Sequence, residues 1–74
     1  MPHFEIKLLA RKTEEQKQEL ASELVKTAQR CLGYGEESFS VSIRDYSLEE
    51  WKNEIYPGIL ETKETLFKKP GYKM

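Results

Sequence analysis

The segment PHFEIKLL, residues 2–9, decides the fold because apolar and polar side chains alternate along it without a break. The apolar side chains Phe4, Ile6 and Leu8 all point to the same side of an extended chain. Strict alternation of this kind predicts a β-strand with one face buried and the other in water. Such a strand needs a second strand and a covering helix, and the remaining residues supply both.

A long amphipathic helix is predicted directly after this strand. Thr13 and Gln16 have the spacing of a capping box, in which each side chain accepts a hydrogen bond from the backbone N–H of the other residue. Apolar residues then recur at helical spacing along one side, namely Leu20, Leu24, Ala28 and Cys31. The pattern predicts a helix over residues 14–32, with the Cys31 thiol packed in the apolar stripe and Gly33 at the end.

The second half of the chain predicts another strand and another helix. The apolar positions of the strand are Phe39, Val41 and Ile43. Ser47 and Glu50 form a second capping box, and the helix behind it carries Trp51. The Pro-Gly pair at 57–58 is expected to kink or break this helix, and a second Pro-Gly pair at 70–71 to end it.

The element order β-α-β-α predicts an α+β fold, and residues 1–74 are expected to form a single domain because no linker or repeat divides them. Two strands joined through a long helix are expected to be parallel, with both helices on their apolar face. A two-stranded sheet has two open edges, so we expect a homodimer that completes it. The outer face of the sheet is polar, which favours a dimer over a hexamer.

Composition limits the classes of function. The chain has 12 Lys and Arg residues against 13 Asp and Glu, and this balance argues against nucleic-acid binding. A single cysteine and a single histidine form neither an internal disulfide nor a zinc site. No apolar run reaches the roughly 20 residues of a membrane span, and the first residues lack the apolar core of a signal peptide. We therefore expect a cytoplasmic protein without a metal.

Pro2 has the most distinctive chemistry because it follows the initiator Met1 directly. Methionine aminopeptidases usually remove Met before a small residue such as proline, which would leave a secondary amine at the start of the strand. Burial and nearby cations lower the pKa of an amine toward neutral pH, where a general base works best. Arg11 and Lys12 are candidate cations if a neighbouring subunit brings them close. The alternative is structural, since the first position of a strand needs no hydrogen-bond donor.

Other side chains carry weaker signals. His3 is expected to face solvent or an interface rather than to be catalytic, and Ser40 and Ser42 have no histidine at a spacing that indicates a hydrolase triad. Trp51 is a candidate wall of an apolar pocket, and the alternative is that it packs in the core or in an interface.

Three segments carry a family resemblance: Met1-Pro2-His3-Phe4-Glu5-Ile6-Lys7, Thr13-Glu14-Glu15-Gln16-Lys17 and Phe39-Ser40-Val41-Ser42-Ile43. Together they resemble the 4-oxalocrotonate tautomerase family, and the likeness covers the whole chain in length and element order. The ending Lys68-Lys69-Pro70-Gly71-Tyr72 is similar to the tail of a dimeric subgroup within that family.

The resemblance implies a keto–enol tautomerase that needs no cofactor. Pro2 would be the general base acting on a small enol or 2-oxo acid, such as a 2-hydroxydienoate or an aromatic enolpyruvate. Arg11 or Lys12 would hold the substrate carboxylate, because Lys12 stands where typical members have an arginine. Ser40 stands where the family has a second arginine. That difference keeps an alternative hypothesis open, a homodimeric interaction or regulatory module without catalysis.

Overall fold

The computed structural model describes residues 1–74 and contains two strands and two helices in the predicted order. Strand β1 is His3–Leu9, helix α1 is Glu14–Leu32 and strand β2 is Ser40–Tyr46. Helix α2 consists of three consecutive helical stretches, Leu48–Glu50, Trp51–Ile55 and Tyr56–Glu61. Short 3-10 turns lie at Glu36–Ser38 and Lys63–Thr65. The predicted β-α-β-α fold is confirmed.

The two strands form a parallel sheet, as predicted. Their register sets His3 opposite Ser40 at one end and Leu9 opposite Tyr46 at the other. We call these the amino end and the carboxyl end of the sheet. Since successive side chains alternate between the two faces, the register gives one apolar face and one polar face. The half-buried apolar face consists of Phe4, Ile6, Leu8, Val41 and Ile43.

Helix α1 has the bounds that the sequence predicts. Both halves of its capping box are present, because Gln16 N–H donates to Thr13 Oγ1 at 3.0 Å and Thr13 N–H donates to Gln16 Oε1 at 2.9 Å. Gly33 ends the helix in the left-handed conformation, with φ of 81°, which glycine adopts at little cost. An ion pair of 2.8 Å between Lys17 Nζ and Asp45 Oδ2 ties the start of α1 to the carboxyl end of the sheet.

Helix α2 differs from the prediction in two ways. It continues through Pro57, because the stretch before this proline is a π-helix in which Tyr56 N–H donates to the Trp51 carbonyl. The wider turn shifts the hydrogen bonds, and Pro57 then falls at the start of the last α-helical stretch, where its missing donor is tolerated. The helix also ends at Glu61 instead of near residue 70, and the Thr62 hydroxyl donates to the Ile59 carbonyl at 2.8 Å.

The single chain encloses almost no core. Only Ala28 and Ile55 are buried, each 8% exposed. Cys31 is exposed, so the prediction that it packs in the apolar stripe is wrong for the single chain. The radius of gyration is 13.9 Å, whereas a compact domain of this length has about 11 Å. The fold is a thin slab, 18 Å in its shortest dimension.

Candidate active site

Pro2 lies at the amino end of the sheet, directly before β1. Its carbonyl accepts a hydrogen bond of 3.3 Å from Ser40 N–H, and the residue is half-buried. The ring therefore has a fixed position at the head of the strand, while Met1 is fully exposed. With Met1 attached, the Pro2 nitrogen belongs to an amide and has no basicity.

His3 contacts both serines of the neighbouring strand. Its Nδ1 lies 2.6 Å from Ser40 Oγ and its Nε2 lies 3.4 Å from Ser42 Oγ. The parallel register brings these residues together across 37 positions of sequence, which spacing along the chain does not reveal. The sequence spacing alone therefore does not predict this contact, although both strands place these side chains on the polar face. No carboxylate hydrogen-bonds the imidazole, so the cluster lacks the third group of a hydrolase triad.

Arg11 and Lys12 lie beyond the carboxyl end of β1. The strand spans seven residues, and at about 3.3 Å per residue its ends are roughly 20 Å apart. One chain therefore does not bring Pro2 together with either cation. Arg11 is exposed and has a φ of 88°, in the left-handed region that costs a non-glycine residue of order 1 kcal/mol. Lys12 is exposed beside a shallow depression of 160 Å³ that Leu8 and Lys17 also line.

Trp51 also lies at the carboxyl end of the sheet. Its ring meets the Tyr46 ring edge-on, with 6.4 Å between the centroids. It lines a cavity of 430 Å³, which we call the Trp51 cavity. The other lining residues are Lys7, Leu8, Leu9, Tyr72, Lys73 and Met74. The sequence does not predict that Tyr72, Lys73 and Met74 reach this cavity, because the tail has no periodic pattern that indicates where it folds.

The polar face of the sheet concentrates cations toward the same end. Lys7 lies opposite Arg44 in the register, and the Arg44 guanidinium stacks over the Tyr46 ring at 5.3 Å. This cation–π contact holds Arg44 near the Tyr46–Trp51 pair. Apolar rings and positive side chains therefore share the carboxyl end, a combination that suits a planar molecule with a carboxylate.

Two groups near this end have shifted pKa values. The hydrogen bond from Lys17 to Asp45 raises the pKa of the Lys17 ammonium, because the pair stabilises its charged form. The hydrogen bond from the Ser47 backbone N–H lowers the pKa of the Glu50 carboxyl, and Arg44 acts in the same direction. The Lys17–Asp45 pair joins α1 to the sheet, and the Ser47–Glu50 bond caps the start of α2.

The fold has no set of side chains for a metal ion and no helix that could span a membrane. No group of three or more His, Cys, Asp or Glu side chains is arranged to hold a metal ion. Neither helix combines the length and the apolar character that crossing a bilayer requires.

Comparison with known proteins places these features in a family. The family model described as tautomerase enzyme matches residues 2–53. A probable tautomerase of Xylella fastidiosa is 36% identical over 73 residues, which cover 97% of this chain and 89% of the relative. The tautomerase PptA of Pectobacterium carotovorum is 35% identical over 97% of both chains, and that of Cronobacter sakazakii is 37% identical over the full length of both. The chain therefore belongs to the tautomerase family of isomerases.

Proposed function

We propose that this tautomerase is a cofactor-independent keto–enol tautomerase whose general base is the amine of Pro2 after removal of Met1. The observation that carries the proposal is the position of Pro2, directly after Met1 and held through its carbonyl by Ser40 at the head of β1. Membership in a family of isomerases favours catalysis over the alternative of a non-enzymatic module.

The proposed reaction moves one proton and needs no electron donor or acceptor. The Pro2 amine takes the proton from the enol hydroxyl, the oxygen becomes a carbonyl, and the carbon–carbon double bond shifts. The ammonium then returns the proton to carbon, so that atoms and charge balance. The imidazole and serine hydroxyls beside Pro2 offer hydrogen bonds to the oxygen that carries negative charge in between.

The proposed substrate is a small enol or 2-oxo acid with a flat body, either a dienoate or an aromatic enolpyruvate. The Trp51 cavity, at 430 Å³, has a size that is typical of small-molecule sites. Trp51 and Leu9 offer apolar contact, while Arg11 and Lys12 are the proposed partners of the substrate carboxylate. Lys73, which lines the same cavity, is a third cation at that end.

A homodimer would bring Pro2 of one copy close to the cations and the Trp51 cavity of the other copy. When the free edges of two β1 strands pair antiparallel about a two-fold axis, the amino end of each strand lies beside the carboxyl end of the other. Pro2 of one copy then faces the partner's Arg11, Lys12 and Trp51. The same pairing produces a four-stranded sheet and removes one open edge from each chain.

The incomplete core supports an oligomer. Two buried residues in a chain of 74 leave most apolar side chains of the single copy in partial contact with water. The polar face carries exposed charged and polar side chains, His3, Glu5, Lys7, Ser40, Ser42 and Arg44, and this favours a dimer over a hexamer. The one cysteine is free and exposed, which fits the reducing cytoplasm as the proposed location.

The decisive experiment compares the purified protein with its Pro2→Ala variant. Mass spectrometry first shows whether Met1 is absent from each. An ultraviolet assay with phenylenolpyruvate and with 2-hydroxymuconate then measures turnover. Loss of the secondary amine is expected to lower kcat by about 10²–10⁴-fold, the usual contribution of a general base.

Pro57→Ala is the matched control, because Pro57 is exposed on α2 and does not line the Trp51 cavity. Its turnover is expected to equal that of the parent. Equal rates for the parent and Pro2→Ala, with Met1 removed from both, would contradict the assignment of Pro2. Retention of Met1 in a fully active protein would contradict it as well.

A further inference from the structure

A second cavity lies between the end of α2 and the tail, residues 66–74, and is separate in position from Pro2. Its volume is 530 Å³, and we call it the lysine cavity. Three lysines line it, Lys63, Lys69 and Lys73. The remaining wall is aromatic and apolar, with Tyr56, Tyr72 and Leu60 among its residues.

The positive charge of this cavity is not balanced by a carboxylate of the chain. Every ion pair of the chain involves Lys17 or Lys26, so none of the three lysines has a carboxylate within 4 Å. No Asp or Glu lines the cavity. Residues 62–74 carry four lysines against one glutamate, although the whole chain has a net charge of −1. Gathering like charges around one space raises their electrostatic energy, and an anion in that space lowers it.

The aromatic wall gives the cavity a preference for shape as well as charge. The Tyr56 and Tyr72 rings lie 5.6 Å apart at an angle of 43° and join the tail to α2. Their faces offer contact to a flat apolar group, and their hydroxyls offer hydrogen bonds to an oxyanion. An inorganic anion would contact only the lysines, whereas a flat organic anion would contact both the lysines and the tyrosine rings.

We infer that the lysine cavity binds a small organic dianion with a planar body, of the class of aryl phosphates and aromatic dicarboxylates. This site is distinct from the proposed catalytic pair of Pro2 and the Trp51 cavity, although Tyr72 and Lys73 line both cavities. A bound dianion holds the tail against α2 and thereby fixes one wall of the Trp51 cavity. The inference rests on the geometry of the tail and does not require Met1 removal or catalysis.

The test is a calorimetric titration of the full chain with phenyl phosphate. Lys63→Met and Lys69→Met are each expected to weaken binding by about three- to tenfold, because each removes one charge-assisted contact. Lys52→Met is the matched control, since Lys52 is an exposed lysine of α2 that does not line this cavity. It is expected to bind phenyl phosphate as the parent does. Circular dichroism confirms that each variant keeps the parent fold.

Two further probes test the chemistry of the ligand. Benzoate, with one charge, and inorganic phosphate, without a ring, are both expected to bind more weakly than phenyl phosphate. Equal affinity for phosphate and phenyl phosphate would overturn the role of the tyrosine wall. No detectable binding, or equal affinities for the parent and the Lys63 and Lys69 variants, would overturn the site itself.

Pro2→Ala separates this inference from the proposed function. Its affinity for phenyl phosphate is expected to equal that of the parent, whether or not the variant has lost turnover. A large loss of affinity in Pro2→Ala would mean that the probe binds at the amino end of the sheet, and would contradict a separate site.

Discussion

The two ends of the sheet differ in the chemistry that they present. The amino end has Pro2, the proposed base, with the imidazole of His3 and the hydroxyl of Ser40 beside it, and none of the strand residues there is a lysine or arginine. The carboxyl end has cations and aromatic rings, Lys7, Arg11, Lys12, Arg44, Tyr46 and Trp51, and its carboxylate, Asp45, is paired with Lys17.

This division means that one chain alone holds only part of the proposed site. A tautomerase acting on an acid needs a base and an anion-binding group within a few ångströms of each other, whereas β1 holds them roughly 20 Å apart. Antiparallel pairing of two copies places unlike ends together twice, which gives two equal sites per dimer. The proposed site is therefore a property of the interface, and mixed dimers test it directly.

The largest expected effect is complementation between two inactive variants. Pro2→Ala replaces the secondary amine of the proposed base with a primary amine, and the double variant Arg11→Ala/Lys12→Ala lacks the proposed carboxylate partners. A mixed dimer has one site with both changes and one with neither, so a random equal mixture is expected to regain about a quarter of the parent rate. The measurement is turnover after the two proteins are unfolded together and refolded.

Each variant unfolded and refolded alone is the control, and both are expected to stay inactive. A mixture that stays as inactive as the separate variants would show that the base and the cations act within one chain. That result would contradict the division of the proposed site between the two ends, because one chain would then have to bring the base and the cations together without a partner.

The next effect concerns the aromatic part of the carboxyl end. Trp51→Leu is expected to raise KM by about tenfold with a smaller change in kcat, because the ring contributes contact to the bound substrate before and during the reaction. Tyr34→Leu is the matched control. Tyr34 is also partly exposed and meets Phe39 edge-on, away from the Trp51 cavity. An equal rise in KM for both variants would assign the effect to general loosening of the fold.

The first three elements of the chain, β1, α1 and β2, can be predicted from patterns in the sequence. Thr13, Gln16 and Gly33 mark the bounds of α1 because caps are made by residues that are neighbours in sequence. Alternation gives the two strands, and the long connection between them gives their parallel order. The caps and the alternation depend on residues a few positions apart, and the parallel order follows from the length of the connection, so a single sequence suffices to predict them.

Two of the features that were missed depend on contacts between residues far apart in the sequence. His3 meets Ser40 only through the register of the sheet, and the tail reaches Leu9 only through the turn after α2. The apolar spacing of Leu66 and Phe67 predicts a longer helix, yet Phe67 is fully exposed. The π-helical turn before Pro57 shows that a helix can absorb a proline by moving hydrogen bonds.

A smaller effect is expected at the amino end. Ser40→Ala removes the hydroxyl that lies 2.6 Å from His3, whereas Ser42→Ala removes one at 3.4 Å. We expect kcat to fall about three- to tenfold for Ser40→Ala and less for Ser42→Ala, with KM nearly constant, since one neutral hydrogen bond contributes about 1 kcal/mol. Steady-state kinetics on both variants check the order. A larger loss for Ser42→Ala would remove the His3–Ser40 contact from the proposed site.

The smallest expected effect concerns stability against acid, and it distinguishes the two capping boxes. In α2, the Ser47 N–H donates to Glu50 at 2.8 Å and holds the pKa of that carboxyl below its ordinary value of 4.5. A carboxyl with a lowered pKa in the folded state stabilises the fold above pH 4.5, and this contribution is lost as pH falls through the lowered value. In α1, Gln16 accepts the equivalent bond and has no charge to lose.

Glu50→Gln is therefore expected to make the loss of stability between pH 7 and pH 3 smaller than in the parent, and Gln16→Glu to make it larger. Urea unfolding at both pH values measures the difference, and Glu49→Gln controls for the change in net charge, because Glu49 makes no capping contact. An equal loss of unfolding free energy between pH 7 and pH 3 in the parent and in Glu50→Gln would show that the hydrogen bonds of the capping box stabilise α2 without a contribution from the charge. The charge on Glu50, next to Arg44, would then contribute nothing to holding α2 at the carboxyl end of the sheet.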